Sequence, residues 1–349
     1  MNVLPRLRFS HRLVLLLIGA YVLSFYNAPD FDGRQLSSIF DGESSESPRA
    51  SENDRKCPAV VERMKGIYKN SKDDPEKKFE NVILVTAASS GFKDYLKNWE
   101  LHAEDFHLKW LTVAFDEDIY KSRNGPEKNL LISRDNQEKE KQSFGDAGYY
   151  KLVCNKMAIV LEILESCNID VMFSDTDIAF AKDPFKHELG DKITSGQFDY
   201  IFQHNMNKWS SSPGEHPCVK SGYSPGEGNT GFHYMKPTKA MKDLIRKTLN
   251  MCEKEDVYDQ SAFWKVMKNS TDEWDYCPPH AGSKEYAPRK EGKNQFCCLD
   301  PYYYPVAFLK PENVDDLVLL HGNWAAGNNK IWKLKTWIKD GWRLPFVYS

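Results

Sequence analysis

Between Asn81 and Ser174 the chain alternates short apolar runs with longer segments whose apolar residues recur at helical spacing. "NVILVTAASS" opens with a β-branched apolar run and closes on small residues. "FKDYLKNWELHAEDF" then brings Tyr95, Leu96, Trp99 and His102/Ala103 back at intervals that fit one helix face. "LKWLTVAFDED" reads as a second strand ending at Asp116, and "KNLLIS" as a third. In "YYKLVCNKMAIVLEILESCN", Val153, Met157, Val160, Leu161 and Leu164 form one stripe, and the strand "IDVMFS" follows. Strand and helix in alternation predict an α/β fold, a Rossmann-like parallel sheet with helices on both faces. Ligands of such sheets bind outside the carboxyl ends of the strands. Thr86, Asp116, Asp175 and Asp177 all fall at such ends.

The strand "IDVMFS" runs directly into "DTDIAFAKDPF", which sets Asp175 and Asp177 one residue apart. Carboxylates at a strand end can hold a hard divalent cation, and the cation can hold a diphosphate. The three letters alone are a poor signal, since "DFD" at Asp30 and "DED" at Asp116 share the pattern. Position behind a buried strand separates the third copy from the others. The bland alternative is that Asp177 or Asp183 caps a turn or helix.

The formal net charge of -3 and pI near 6.3 give no reason to expect a nucleic-acid partner. At the N-terminus Arg6, Arg8 and Arg12 precede "LVLLLIGAYVLSFYNA", which carries no charge until Asp30. A cleaved signal peptide and a signal-anchor both fit this pattern. Bulky Tyr21, Phe25 and Tyr26 and the lack of a small-x-small cleavage site favour the anchor, and a short span suits a thin early-secretory bilayer. The expected organisation is a cytoplasmic tail at 1–12, a membrane signal-anchor at 13–28, a Ser- and acid-rich flexible stem at 29–78 and a globular body at 79–349. That predicts a single-pass type II membrane protein of the secretory pathway. Eight cysteines agree with a lumenal body. Cys218, Cys252, Cys277, Cys297 and Cys298 are placed to staple loops, whereas Cys154 and Cys167 read as buried thiols. Asn269-Ser270-Thr271 is a glycosylation sequon.

From Lys156 through "LEILESCNIDVMFSDTDIAFAKDPF" the chain resembles the donor-site core of the nucleotide-diphospho-sugar transferases of glycosyltransferase family 77, which include the rhamnogalacturonan xylosyltransferases. "VTAASSGFKDYLKNWELHA" and "LTVAFDED" upstream, and "EGNTGFHYMKPT", "YDQSAFWKVM" and "LLHGNWAAGNNKIWKLKTW" downstream, extend the similarity over 81–342. The resemblance implies a GT-A fold and a nucleotide sugar held through a metal. Asp175 would contact ribose and metal, and Asp177 metal and diphosphate. Thr86, Asp116 and Lys156 would line the nucleotide pocket, Lys156 being readable also as a solvated helix lysine. Asn229 would face the sugar, and Asp259 and Gln260 would lie near the reacting carbon, with anomeric configuration retained. "MNKWSSSPGEHPCVKSGYSPGEG" and the stretch from Cys277 to Cys298 are insertions on the expected acceptor side.

"DLVLLHGNW" places His321 directly after an apolar strand, so its ring can reach the same sheet edge as the acids. A lone histidine there is more often a hydrogen-bonded core residue. Its neighbours Gly322, Asn323, Gly327 and Lys330 favour a third metal ligand, with the glycines for close backbone approach and Lys330 for the phosphate. Imidazole beside carboxylates suits Mn2+ (or Mg2+) better than Ca2+. The expected activity is metal-dependent transfer of a sugar from a nucleotide diphosphate to a glycan or glycoprotein acceptor. A catalytically silent lectin-like or scaffold protein on the same fold is one alternative. A nucleotide-sugar phosphohydrolase is the other.

Overall fold

The computed structural model describes residue 57 and residues 59–122, 130–132, 147–205, 212–213, 228–255, 257–270, 272–276, 289–308, 310–323 and 327–345. Among them an eight-stranded sheet has the order β3-β2-β1-β4-β7-β6-β9-β8. Its strands are β1 (Val82–Ala88), β2 (Leu111–Ala114), β3 (Leu130–Ile132), β4 (Asp170–Ser174), β6 (Tyr200–His204), β7 (Gly228–Met235), β8 (Trp274–Tyr276) and β9 (Asn294–Cys298). A separate two-stranded ladder pairs β5 (Ile178–Phe180) with β10 (Leu319–His321).

Side-chain alternation in β1 and β4 explains why both faces are covered. Ile83, Val85, Val171 and Phe173 join one apolar cluster with Met157, Val160 and Leu164 of the helix Ala147–Ser166. Val82, Leu84 and Met172 point the other way, to Trp99 and Ala103 of the helix Lys93–Asp105. Successive strand residues face opposite sides, so an uninterrupted apolar run needs a helix layer on each.

The sheet is mixed, where the alternation predicts a parallel one. β1 to β4 form a parallel block, but β7 runs antiparallel to both β4 and β6. This reversal matters for the site: it brings the start of β7, Asn229 to Gly231, to the edge where β4 and β6 end. Between Phe202 and Gln203 the β6–β7 register slips, so that Phe202 faces His233 while Gln203 faces Asn229. Such irregularities re-aim side chains beside functional sites.

Two expectations change. Residues 57–78, assigned to the stem, pack on the body: Val61, Ile67 and Tyr68 are buried, and Gly66 N–H donates to Val82 O at 2.8 Å. Cys57 is bonded to Cys167, and Cys154 to Cys252, so Cys154 and Cys167 are not thiols. Both lie on or just beyond a helix that packs against a second segment carrying a cysteine, a juxtaposition no helix stripe reveals. Cys298 is also disulfide-bonded, and Cys297 is a buried thiol. Among the described residues no helix is long and apolar enough to cross a membrane. The expected tail and anchor, most of the stem, Cys218 and Cys277 lie outside those residues.

Candidate active site

At the carboxyl edge of β4, Asp175 anchors its own backbone by donating N–H to Gly231 O at 2.6 Å. Asp177 follows two residues later at the turn into β5. β10 pairs antiparallel with β5, His321 opposite Ile178, and Gly322 N–H donates to Asp177 O at 2.8 Å. The small ladder thus carries a residue from far along the chain to the acid pair. Oxygen atoms of Asp175 and Asp177 and a ring nitrogen of His321 lie within 4.8 Å of one another. They are the one such cluster of metal-capable side chains among the described residues. His321 Nε2 is 3.2 Å from Asp177 Oδ1 and 3.9 Å from Asp175 Oδ2.

The residues fit a divalent ion on two observations. His321 Nε2 is buried 3.2 Å from Asp177 Oδ1 with no hydrogen bond of regular geometry, a nitrogen directed at the acid pair. Gly231 leaves the space: a Cβ there would lie 2.3 Å from Asp175 Oδ2, 2.5 Å from His321 Cε1 and 2.9 Å from Asn229 Oδ1. Two carboxylates and one imidazole nitrogen form a donor set that fits a divalent cation.

Two lysines border the cluster. Lys330, in the helix Gly327–Trp337, sets Nζ 2.6 Å from Asp177 Oδ2. Burial alone would raise the Asp177 carboxyl, but its basic neighbours, the Lys330 ammonium foremost, together hold the group well below the usual carboxylate range. Lys156 projects from the helix Ala147–Ser166, with Nζ 3.0 Å from Asp175 Oδ1 and 3.4 Å from Asp259 Oδ2. It is buried and bridges two acids, which excludes the solvated-helix reading. Asp177 caps nothing. Asp183 does, accepting from Phe185 N–H at 3.0 Å and from Tyr68 O–H at 2.7 Å.

Asn229 turns inward. Its Oδ1 accepts from Gly231 N–H at 2.6 Å, and its Nδ2 donates to Asn205 Oδ1 at 3.2 Å. Asn323 Nδ2 donates to the same Asn205 oxygen at 3.1 Å, so three amides from β7, the end of β6 and the end of β10 meet beside the cluster. Asp259 begins the helix Asp259–Lys268 but is only 3% exposed. Its Oδ2 accepts from Thr230 O–H at 2.8 Å, and burial, partly offset by Lys156, raises its carboxyl. Gln260 Oε1 accepts from Thr230 N–H at 3.4 Å. Both residues therefore brace the start of β7 through Thr230.

Asp116 has both oxygens committed to backbone, accepting from Ser90 N–H at 2.5 Å and Ile119 N–H at 2.9 Å. It shapes the end of β1 and the start of the helix Glu117–Ser122. Thr86 is fully buried on β1 with an unbonded Oγ1. Gly327 opens the Lys330 helix.

Sequence reasoning missed Gln203, Asn205 and Thr230. The one signal for Gln203 was an amide inside "YIFQH", a strand otherwise apolar up to that point.

A mixed α/β sheet here gathers two acids, an imidazole and two lysines at one strand edge, a group that could hold a divalent ion. Residues 105–334 match the nucleotide-diphospho-sugar transferase family, and the chain belongs to that family. A UDP-D-xylose:L-fucose alpha-1,3-D-xylosyltransferase of Arabidopsis thaliana is 27% identical over 177 residues, covering 48% of this chain and 45% of the relative. The arabinosyltransferase XEG113 of the same plant is 20% identical over 197 residues, or 54% of this chain and 29% of its own. The chain thus spans less than half the length of these relatives. Among solved structures, a glycosyltransferase involved in glycosylating the major capsid of PBCV-1 aligns at a TM-score of 0.40 and 13% identity, covering 71% of this chain and 96% of that one.

Proposed function

We propose that this chain transfers a sugar from a nucleotide-diphosphate donor, a UDP-sugar, to a glycan or glycoprotein acceptor with retention of anomeric configuration. The observation that carries this reading is the buried, unbonded Nε2 of His321 directed at the Asp175–Asp177 pair. The names of the xylosyltransferase relatives, with a UDP-sugar donor and an alpha linkage, support the donor class and the retention.

Asp175, Asp177 and His321 would hold Mn2+ or Mg2+. When bound, such an ion neutralises charge on the leaving diphosphate. Lys330 stands at the same carboxylate as a second cation for that diphosphate. Thr86 offers its buried hydroxyl to the nucleoside side. Asn229 presents the amide cluster to the sugar, and Asp259 and Gln260, through Thr230, set the start of β7 toward the reacting carbon. Positive charge developing there is stabilised by nearby polar or anionic groups. The proposed setting is the Golgi lumen, with 13–28 as a type II anchor. Protease added to sealed microsomes should then spare the body.

A panel of nucleotide sugars with Mn2+ and mixed glycan acceptors tests the function. Transfer supports the reading. Free sugar or sugar phosphate without acceptor dependence would indicate a phosphohydrolase, and no turnover with any donor a lectin-like or scaffold role.

A further inference from the structure

Gln203 is fully buried in β6, and every polar atom of its side chain is used. Its Nε2 donates to Tyr304 O and Pro305 O, each at 3.0 Å. Its Oε1 faces His321 Nδ1 at 2.7 Å. The two carbonyls fix which end of the amide is which, because a flipped amide would set its oxygen against both of them. The atom facing His321 is therefore an acceptor, so Nδ1 must carry the ring proton. A neutral imidazole protonated on Nδ1 has its lone pair on Nε2.

The carbonyls that hold Gln203 belong to a segment laced to the His321 strand. His321 N–H donates to Pro305 O at 3.1 Å, and Ala307 N–H to His321 O at 2.7 Å. Gln203 thus ties the main sheet to the small ladder at the point where the ladder delivers its histidine. The register slip between Phe202 and Gln203 sits at the same place.

We propose that Gln203 is a positioning residue: it locks the Nδ1–H tautomer of His321 and so presents Nε2 as a ligand to the divalent ion. The inference rests on the metal-dependent reading above and adds to it the residue that makes the imidazole a ligand. Partners of this kind typically contribute about 10- to 100-fold in metal affinity.

The tautomer is read directly on the full wild-type chain, selectively 15N-labelled at histidine, from long-range proton–nitrogen correlations. His321→Ala assigns the signal among the nine histidines. A protonated Nδ1 is the expected result, and a protonated Nε2 overturns the proposal without need of any Gln203 variant. Mn2+ affinity is then measured by electron paramagnetic resonance of the free ion. Gln203→Leu should weaken it about 10- to 100-fold and mix the tautomers, and adding His321→Ala to it should cost little more. A folded Gln203→Leu that binds Mn2+ within twofold of wild type overturns the inference while leaving the metal reading intact. Failure of wild type itself to bind Mn2+ overturns both.

Discussion

Replacing Gly231 by Ala alters the site without replacing any proposed ligand. Gly231 does not adopt a positive φ, so an added methyl creates no backbone strain of that kind. The cost comes from contact alone. Ordinary contact begins near 3.4 Å, and the new Cβ would lie 2.3 Å from Asp175 Oδ2 and 2.5 Å from His321 Cε1. Relief needs a displacement of about 1 Å in each. Neither can retreat easily, since Lys156 holds the carboxylate and Gln203 the ring. Overpacking of this kind destabilises by about 1–3 kcal/mol. Misplacing a reacting group by ~1 Å costs on the order of 10²-fold in rate. Gly231→Ala should therefore remain folded, with its melting temperature lower by several degrees. Mn2+ affinity and turnover should each fall about 100-fold. Thermal unfolding, Mn2+ titration and donor turnover on the same preparation separate the three effects. A Gly231→Ala protein that binds Mn2+ and turns over like wild type refutes the reasoning, because the space beside Asp175 and His321 would then not matter.

His321→Ala should weaken Mn2+ binding and cut transfer by orders of magnitude while the body keeps its melting temperature within a few degrees. Lys330→Ala should spare more of the metal affinity and chiefly weaken binding of the nucleotide diphosphate, measured by calorimetry; the reverse pattern would exchange their roles. Asp259→Ala or Gln260→Ala should lower kcat more than donor affinity, since the strand start they brace is proposed to face the transition state; unchanged turnover in both would remove them from the reaction. His102 supplies a pH dependence away from the metal cluster. Burial first, and Arg343 second, lower its pKa to about 4 from 6.5, while its Nδ1 bonds Phe180 O at 2.9 Å. The unfolded chain takes up that proton near pH 6.5 and the folded one only near 4. Stability present above pH 6.5 is thus lost as pH falls toward 4, by about 3 kcal/mol. Melting curves across that range should flatten in His102→Gln, and an equally steep profile would assign the loss to other groups.

Local patterning alone determined the four strands and the two long helices from Asn81 to Ser174, because fully buried strands must be apolar throughout and their covering helices must carry a stripe; it missed the short helix Glu117–Ser122. It also placed Asp175 and Asp177 at a carboxyl edge and His321 after a strand, since the polar residue closing an apolar run ends up at the sheet's rim. Everything that turns those three side chains into one cluster is tertiary. β10 meets β5 across more than 130 residues, and β7 reverses direction to lay Gly231 against Asp175. Asp116 carries the same strand-end signal as Asp175, yet both its oxygens cap backbone. No period in the sequence separates them, because the difference lies in which N–H groups the fold brings near. Lys156 reads on a helix as a surface lysine until Asp175 and Asp259 close over it. Gln203 is one amide in an apolar strand, and only its two carbonyl partners decide which ring nitrogen of His321 keeps its lone pair. Hydrogen-bond direction is set by neighbours in space, so a chain read in one dimension names the groups but not their protons.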